Sequence, residues 1–330
     1  MPIMNTVIKD NNSAAPTYYR EYTKDNNNVL QRTATLINLN GVKDLGDYAL
    51  SNAYRSTLLT GTLDLSTLEN ITGINACSFA FSSSGGITSV NMSNVKTITG
   101  TGACSNMFLD CIGITSVDLG SLETVGGCES MFSNCNKLAT LDISSLKTIS
   151  SACSSMFKGT KITSLDLSAL ETISGSCNSM FESCTSLTTA DLRSLKTISG
   201  TFASAFRYCT ALTSIDLSAL ETISASCSEI FGSTKLTTFT FNNLSSLDAN
   251  QALYRAFRNV TTLTSLSFPA LKSTSFGSYT NQFSNMLQGV TGCTVHFPSN
   301  LQSVIGSWSD VTGGFGGTNT TVLFDLTATE

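Results

Sequence analysis

Short segments in which apolar and polar residues alternate recur along most of this chain. The pattern LDLSAL and its variants occurs eleven times, with the second residue at positions 38, 64, 91, 118, 142, 166, 191, 216, 240, 267 and 296. Side chains two residues apart on a strand share a face, so each segment predicts a short strand with one buried face. The spacing of 24 to 29 residues is typical of a solenoid, in which every repeat adds one coil.

A second apolar pattern follows each strand. Cys177, Met180, Phe181 and Cys184 are spaced i, i+3, i+4 and i+7, and the same spacing recurs in other units as Cys104/Met107/Phe108/Cys111, Cys128/Met131/Phe132/Cys135, Cys153/Met156/Phe157/Thr160, Phe202/Ala205/Phe206/Cys209 and Cys227/Ile230/Phe231/Thr234. That spacing predicts one face of a two-turn helix, which is stable only when packed against the strands. The sequence therefore predicts an α/β solenoid of about eleven strand-plus-short-helix coils forming one parallel sheet.

The repeats resemble the leucine-rich repeat family, and specifically its BspA-like type, in which a strand L-x-x-L-x-L is followed by I-G-x-x-A-F-x-x-C. The segment LGDYAL at residues 45–50 is close to that form, and four units end in Phe-x-x-Cys: Phe108/Cys111, Phe132/Cys135, Phe181/Cys184 and Phe206/Cys209. The resemblance covers about residues 33–300. It implies a leucine-rich repeat solenoid that serves as a binding scaffold, without indicating a particular partner.

The chain departs from the family form between the strand and the conserved Phe of each motif. The family form has five residues from Ile or Val to Phe, whereas Ile149 to Phe157 spans eight positions and Ile98 to Phe108 spans ten. The additional residues are Ser, Gly and Thr, which we expect to line one edge of the solenoid. They predict either a binding edge or flexible connectors.

Both ends of the chain lie outside the repeat. Residues 1–32 are rich in Asn and carry Tyr18, Tyr19 and Tyr22. We expect a polar arm that anchors the protein, with these tyrosines binding a partner chain or another copy, or alternatively an N-terminal cap. Residues 33–300 form the predicted solenoid. Residues 301–330, which include Trp308 and the apolar segment TVLFDL, are expected to cap its C-terminal end, because a solenoid exposes its core at each end.

Ten of the 11 cysteines fall in two columns of the repeat. One column is Cys77, Cys104, Cys128, Cys153, Cys177 and Cys227, and the other is Cys111, Cys135, Cys184 and Cys209. Equivalent positions in neighbouring units hold Phe202, Thr160 or Thr234. A disulfide partner or a metal ligand does not tolerate such replacements, so we predict buried reduced thiols that act as small hydrophobic residues.

Charged residues also form columns. The residue after each strand segment alternates in sign through Lys43, Glu69, Lys96, Glu123, Lys147, Glu171, Lys196 and Glu221, which predicts a salt-bridge ladder between coils. Each exposed pair contributes only about 0 to 1 kcal/mol, so we assign the ladder to the correct stacking of coils.

A neighbouring column contains Asp64, Asn91, Asp118, Asp142, Asp166, Asp191 and Asp216. Adjacent carboxylates repel each other and require compensation. One interpretation is that nearby residues such as Ser164 and Ser168 donate hydrogen bonds and that some of the pKa values rise. The other is a strip formed by Asp118, Asp142, Asp166, Asp191 and Asp216 that binds Ca²⁺, a cation or a hydroxyl-rich ligand. No other cofactor is predicted.

Composition excludes several classes of protein. Charged residues are 12% of the chain, about half the usual share, and the net charge is −5, so there is no basic surface for nucleic acid. The single histidine, His296, argues against enzymes that need paired histidines, and we expect it to be a surface residue near the C-terminal cap. No apolar run is long enough to span a membrane, and no signal peptide is recognised at the N-terminus.

These observations favour a non-enzymatic binding and structural protein. The resemblance implies bacterial surface adhesion, and similar repeats occur in bacteriophage fibres and other virion proteins. Because virion proteins need no signal peptide, we expect a virion component that is attached to the head or tail. We expect it to contact other virion proteins, or a glycan or protein of the host surface. The protein could also form a homo-oligomer.

Two alternatives remain open at this point. The first is a bacterial cell-surface adhesin or interaction scaffold of the BspA-like type. The second is a polysaccharide-cleaving enzyme that uses paired carboxylates of the Asp column. The regular repetition disfavours the enzyme, because a catalytic pair needs one acid in a distinct environment.

Overall fold

The computed structural model describes residues 39, 41–276 and 281–327, with the backbone alone at residues 273–274 and in four strands before residue 34. Those strands are β1 (Thr6–Val7), β2 (Thr17–Tyr18), β3 (Glu21–Lys24) and β4 (Leu30–Thr33). Strands β1 and β2 pair antiparallel, as do β3 and β4. Tyr19 and the side chains of Tyr18 and Tyr22 lie outside the described residues, so their partner-binding role stays a prediction.

The chain divides into two compact units. Unit 1 comprises Met1–Leu146 and Ser150–Ile162, and unit 2 comprises Lys147–Ile149 and Thr163–Glu330. The repeat strands of unit 1 are β5 (Asp44–Leu45), β6 (Gly61–Asp64), β7 (Asn70–Ile71), β8 (Ile87–Asn91), β9 (Thr97–Ile98), β10 (Ser116–Asp118), β11 (Thr124–Val125) and β12 (Thr140–Asp142). The longer strands pair in parallel in the order β6-β8-β10-β12, and the shorter ones in the order β5-β7-β9-β11.

Unit 2 continues the same plan. Its strands are β13 (Thr148–Ile149), β14 (Ser164–Asp166), β15 (Thr172–Ile173), β16 (Thr189–Asp191), β17 (Thr197–Ile198), β18 (Ser214–Asp216), β19 (Thr222–Ile223), β20 (Thr238–Thr240), β21 (Ser246–Leu247), β22 (Ser265–Ser267), β23 (Thr294–Pro298) and β24 (Thr321–Leu326). The short strands β13-β15-β17-β19-β21 form one parallel row. The longer strands form two parallel sheets, β14-β16-β18 and β20-β22-β23-β24.

These strands confirm the predicted parallel-strand solenoid. Aligned positions of successive repeats are paired in the sheets, as in Asp118 with Asp142 and Asp191 with Asp216. Residue 38 lies outside the described residues. The segment predicted to be a capping strand is β24, which pairs in parallel with β23 and so stacks as a further coil.

The predicted two-turn helices are wrong. Residues 104–111 form successive β-turns, in which the N–H groups of Met107 and Cys111 donate to the carbonyl oxygens of Cys104 and Phe108 at 3.1 Å. The third residues of these turns, Asn106 and Asp110, have φ angles of 58° and 59°, which a right-handed helix cannot contain. Within the described residues, α-helix is confined to α1 (Gln302–Ile305) and α2 (Ser309–Thr312), with short 3₁₀ turns at Ser273–Phe276, Ser299–Leu301 and Gly314–Gly316.

The turns satisfy their backbone by bonding to the next coil. Alternate residues donate their N–H groups across the stack, at 2.8 to 3.0 Å: Cys104 to Gly127, Asn106 to Glu129, Phe108 to Met131 and Asp110 to Ser133. A helix would make these bonds within itself. The turn segments therefore join neighbouring coils as the strands do, while keeping the same side chains buried that helical spacing selected.

Stacked side chains fill the core. In unit 1 the rings of Phe81, Phe108, Phe132 and Phe157 lie 5.1 to 5.6 Å from the next ring and within 7° of parallel. All eleven cysteines are buried free thiols, which agrees with the sequence-based prediction. Burial raises the pKa of Cys111 and Cys177 to about 12, so these thiols stay protonated at neutral pH.

Candidate functional site

The Asp column closes the turn after each strand. Every carboxylate accepts a hydrogen bond from the backbone N–H group two residues later, at 2.8 to 3.1 Å: Asp64 from Ser66, Asp118 from Gly120, Asp142 from Ser144, Asp166 from Ser168, Asp191 from Arg193 and Asp216 from Ser218. Asn91 accepts the same bond from Ser93 at 3.1 Å. This Asx turn explains why Asp or Asn recurs at the position.

Hydrogen bonding, rather than protonation, compensates the charge of two column members. The bonds from Ser66 lower the pKa of Asp64, and the bond from the guanidinium of Arg193 lowers the pKa of Asp191. At these two carboxyls the pKa is lowered, so neither accounts for the predicted rise of some of the pKa values. The hydrogen bond to Asp191 raises the pKa of Arg193, and the charges of Asp216 and Asp166 in the neighbouring coils add to that rise.

Each residue of the predicted strip is the last residue of a longer strand: Asp118 and Asp142 in unit 1, and Asp166, Asp191 and Asp216 in unit 2. Across residues 41–276 and 281–327, no three His, Cys, Asp or Glu side chains are grouped to hold a metal ion. Binding of Ca²⁺ or a cation to the strip stays a prediction.

The alternating Lys–Glu column is in register. Backbone N–H groups of Glu69 and Lys96 donate to the carbonyl oxygens of Lys43 and Glu69 at 2.7 and 2.8 Å. Lys43 Nζ lies 2.6 Å from Glu69 Oε1, and this pair raises the pKa of Lys43 and lowers that of Glu69. Lys43 is exposed and Glu69 is partly exposed, so the pair favours correct stacking and adds little stability.

A cluster in unit 2 was not predicted from the sequence. Three arginines from two coils surround Glu229, whose side chain is only 14% exposed. Arg207 Nε lies 2.9 Å from Glu229 Oε2 as an ion pair without hydrogen-bond geometry, Arg258 Nη1 donates to Oε1 at 3.3 Å, and Arg255 Nη1 lies 3.8 Å from Oε1. We call Arg207, Glu229, Arg255 and Arg258, with Tyr208 and Tyr254, the arginine cluster.

Two tyrosine rings complete the arginine cluster. The guanidinium of Arg207 lies 4.5 Å from the ring centre of Tyr208 and donates to its hydroxyl at 2.8 Å, and that of Arg255 lies 4.7 Å from the ring of Tyr254. Tyr208 is 40% exposed. The three guanidinium groups share the one carboxylate of Glu229. The cluster is therefore a positive, aromatic patch on an acidic chain.

The turn geometry brings the arginine cluster together. Ser204, Glu229 and Arg255 occupy one corner of three successive coils, because Ser204 donates its N–H to Ser228 and Glu229 donates to Tyr254. All three have positive φ. In the sequence, the aligned position is Ser at 179 and 204, Glu at 229 and Arg at 255. The helix prediction did not place these residues at one corner of successive coils, so it did not indicate that Glu229 and Arg255 are neighbours.

His296 is placed beside an acid. Its Nδ1 lies 3.0 Å from both carboxylate oxygens of Asp325 on the adjacent strand β24. The ring is 24% exposed, so the expectation of a surface residue near the C-terminal end fits its position only in part.

The repeats match a known protein family. The model of the BspA type leucine rich repeat region matches in six copies, over residues 50–179, 103–202 and 155–254, which together span more than half of the chain. This chain belongs to the BspA-type leucine-rich repeat family. Repeat domains of this kind are binding scaffolds that lend themselves to surface or protein interaction. The structure of this BspA-type protein contains no described helix long and apolar enough to cross a membrane.

Three solved structures are similar to this BspA-type protein. A leucine-rich repeat protein of T. pallidum is 16% identical with a TM-score of 0.36, covering 65% of this chain and 86% of that one. The pneumococcal vaccine antigen PcpA is 16% identical with a TM-score of 0.34, covering 98% and 100%. A leucine-rich cell surface protein of Faecalibacterium prausnitzii is 16% identical with a TM-score of 0.23, covering 96% and 94%. No curated protein sequence matches the chain significantly.

Proposed function

We propose that this BspA-type protein is a non-enzymatic interaction protein that binds an acidic segment of a partner protein at the arginine cluster. The observation that carries the proposal is the convergence of Arg207, Arg255 and Arg258 on the single carboxylate of Glu229. Part of their positive charge is left unbalanced. Arginine and tyrosine are among the residue types that contribute most to binding energy in protein interfaces.

The position of the arginine cluster favours a complementary acidic partner. Each guanidinium is already oriented by Glu229 or by a tyrosine ring, so little side-chain entropy remains to be lost on binding. Positive charge on a protein of net charge −5 also gives the encounter a preferred orientation.

We further propose that the protein acts within a virion, as a head- or tail-attached component that contacts the host surface or other virion proteins. Support comes from a chain poor in charge, at 12%, whose repeats present Ser, Thr and Asp on the outer strand face. A bacterial cell-surface adhesin is the second candidate, because the repeat family serves surface interaction. Fractionation of the source culture separates the two: recovery with sedimented phage particles supports the first, and recovery with washed cells supports the second.

Charge-matched variants test the proposed binding surface. The double variant Arg255→Ala/Arg258→Ala removes two cations from the arginine cluster, and Lys96→Ala/Lys196→Ala removes two from the Lys–Glu column. We expect the first to lower the amount of protein recovered with its particle or cell fraction by about tenfold or more, as loss of an interface hot spot would, and the second to leave recovery unchanged. Equal recovery of the two variants would overturn the proposal.

A further inference from the structure

A cleft interrupts the outer strand face of unit 2. Strand β18 is the last of one sheet and β20 is the first of the next, so the two adjacent coils are not paired there. The cleft between them has a volume of about 380 Å³, within the range of about 300 to 1,000 Å³ that is usual for small-molecule sites. It is lined by residues 214–218 of one coil and by Thr238, Phe239, Thr240 and Asn242 of the other.

The opening is local. Before the cleft, the N–H group of Lys235 donates to the carbonyl oxygen of Leu212 at 2.9 Å, and after it the side-chain amide of Asn243 donates to the carbonyl oxygen of Ser218 at 2.6 Å. The two coils therefore stay adjacent on both sides of a gap about one strand long.

Phe239 lies at the inner side of the gap. It takes the inner strand position that Leu165, Ala190 and Ile215 take in the preceding coils. Its ring is buried and packs 4.8 to 5.7 Å from the rings of three other phenylalanines, Phe231, Phe241 and Phe257.

The lining is mainly polar. Ser214, Ser218, Thr238 and Thr240 contribute hydroxyl groups, Asn242 an amide and Asp216 a carboxylate, whereas the side chains of Ile215, Leu217 and Phe239 behind them are largely buried. Strand edges that are not paired with each other add backbone donors and acceptors. A ligand for this site must both donate and accept hydrogen bonds.

We propose that the cleft binds a neutral pyranose unit of a glycan. The hydroxyl groups of a sugar both donate and accept hydrogen bonds, and so match a lining of hydroxyl, amide and unpaired backbone groups. This inference goes beyond the proposed interaction role, since it names a second site and a second class of ligand.

Other ligands fit the cleft less well. An inserted peptide strand would need the flanking strands to separate by about 9.6 Å, twice the usual spacing, which the contacts at both ends of the gap prevent. An anion would meet the carboxylate of Asp216 with no cation in the lining. One carboxylate provides too few charged ligands for a tight Ca²⁺ site.

A pair of matched variants tests the proposal on the full chain. Thr238→Phe places a large side chain in the cleft, whereas Thr189→Phe makes the same change at the aligned exposed position of β16, which is paired on both sides. Both proteins and the unchanged chain are applied to an array of immobilised neutral oligosaccharides of glucose, galactose, mannose and N-acetylhexosamines, with sialylated and sulfated oligosaccharides beside them.

We expect the unchanged chain and Thr189→Phe to bind at least one neutral oligosaccharide, and Thr238→Phe to bind it at least about tenfold more weakly. Absence of binding to every neutral oligosaccharide, or equal loss in both variants, would overturn the proposal. Binding of acidic oligosaccharides alone would also overturn it and would point to the arginine cluster. The result is independent of the recovery experiment with the arginine variants, so either proposal fails without the other.

Discussion

Phe132→Ala is expected to lower the free energy of unfolding by about 3–5 kcal/mol. The Phe132 ring is fully buried and stacks between the rings of Phe108 and Phe157, at 5.1 and 5.6 Å. Its removal leaves a cavity in the middle of a column, where the neighbouring coils are held in register by backbone bonds and cannot close the space. Urea denaturation followed by tyrosine fluorescence or circular dichroism measures the loss.

Ile112→Ala is the control for that experiment, because Ile112 lies in the same unit and is 52% exposed. We expect it to change the free energy of unfolding by no more than about 0.5 kcal/mol. Similar losses in the two variants would mean that the aromatic column does not carry the stability assigned to it.

Gly127→Ala is expected to cost about 2–5 kcal/mol. Gly127 has a φ angle of 65°, and a Cβ atom there would lie 2.0 Å from the carbonyl oxygen of Gly100 in the preceding coil. The left-handed conformation costs about 1–2 kcal/mol, and forcing two stacked backbones apart adds about 1–3 kcal/mol. Thermal and urea unfolding of the variant test this.

Gly61→Ala isolates the conformational part of that cost. Gly61 also has a positive φ, of 81°, but a Cβ atom there would meet nothing within 4 Å. We expect this variant to lose only about 1–2 kcal/mol. If the two glycine variants are equally stable, close approach between coils is not what keeps glycine at position 127.

The strand half of each repeat was predictable because two independent patterns specify it. Alternation predicted the buried face of segments such as LDLSAL, and the 24- to 29-residue period predicted their stacking. The Asp column is a local feature as well, since Asp accepts a hydrogen bond from its own chain two residues on. Such features depend on short-range chemistry that the sequence displays.

The prediction was wrong for the turn segments because a helix and a series of β-turns bury apolar residues at the same spacing. Residues such as Cys104, Met107, Phe108 and Cys111 are buried in the stacked turns as they would be on a helix. What distinguishes the turns is the residue at each positive-φ corner, for example Asn106 and Asp110, which are among the types that tolerate that conformation. The Ser, Gly and Thr residues that the family form lacks include Gly100 and Gly127, where backbones meet closely, so packing rather than flexibility explains these two glycines.

The arginine cluster and the cleft escaped sequence analysis for a different reason. The cluster depends on Glu229, where the two preceding repeats have Ser, and the cleft depends on two adjacent coils whose longer strands do not pair. A prediction based on the residues that the repeats have in common does not identify positions at which one repeat differs. Regular coils supply the stable scaffold in this account, and recognition is assigned to the irregular positions of unit 2.

Photo-crosslinking at Tyr208 tests that assignment most directly. Tyr208 and Tyr48 are both exposed tyrosines with positive φ, at 61° and 56°, and only Tyr208 belongs to the arginine cluster. Each is replaced in turn by p-benzoylphenylalanine in the full chain, which is illuminated in its native particle or cell fraction. The account predicts a discrete protein adduct from position 208 that position 48 does not give. Adducts of equal yield from both positions, or none from position 208, would contradict it.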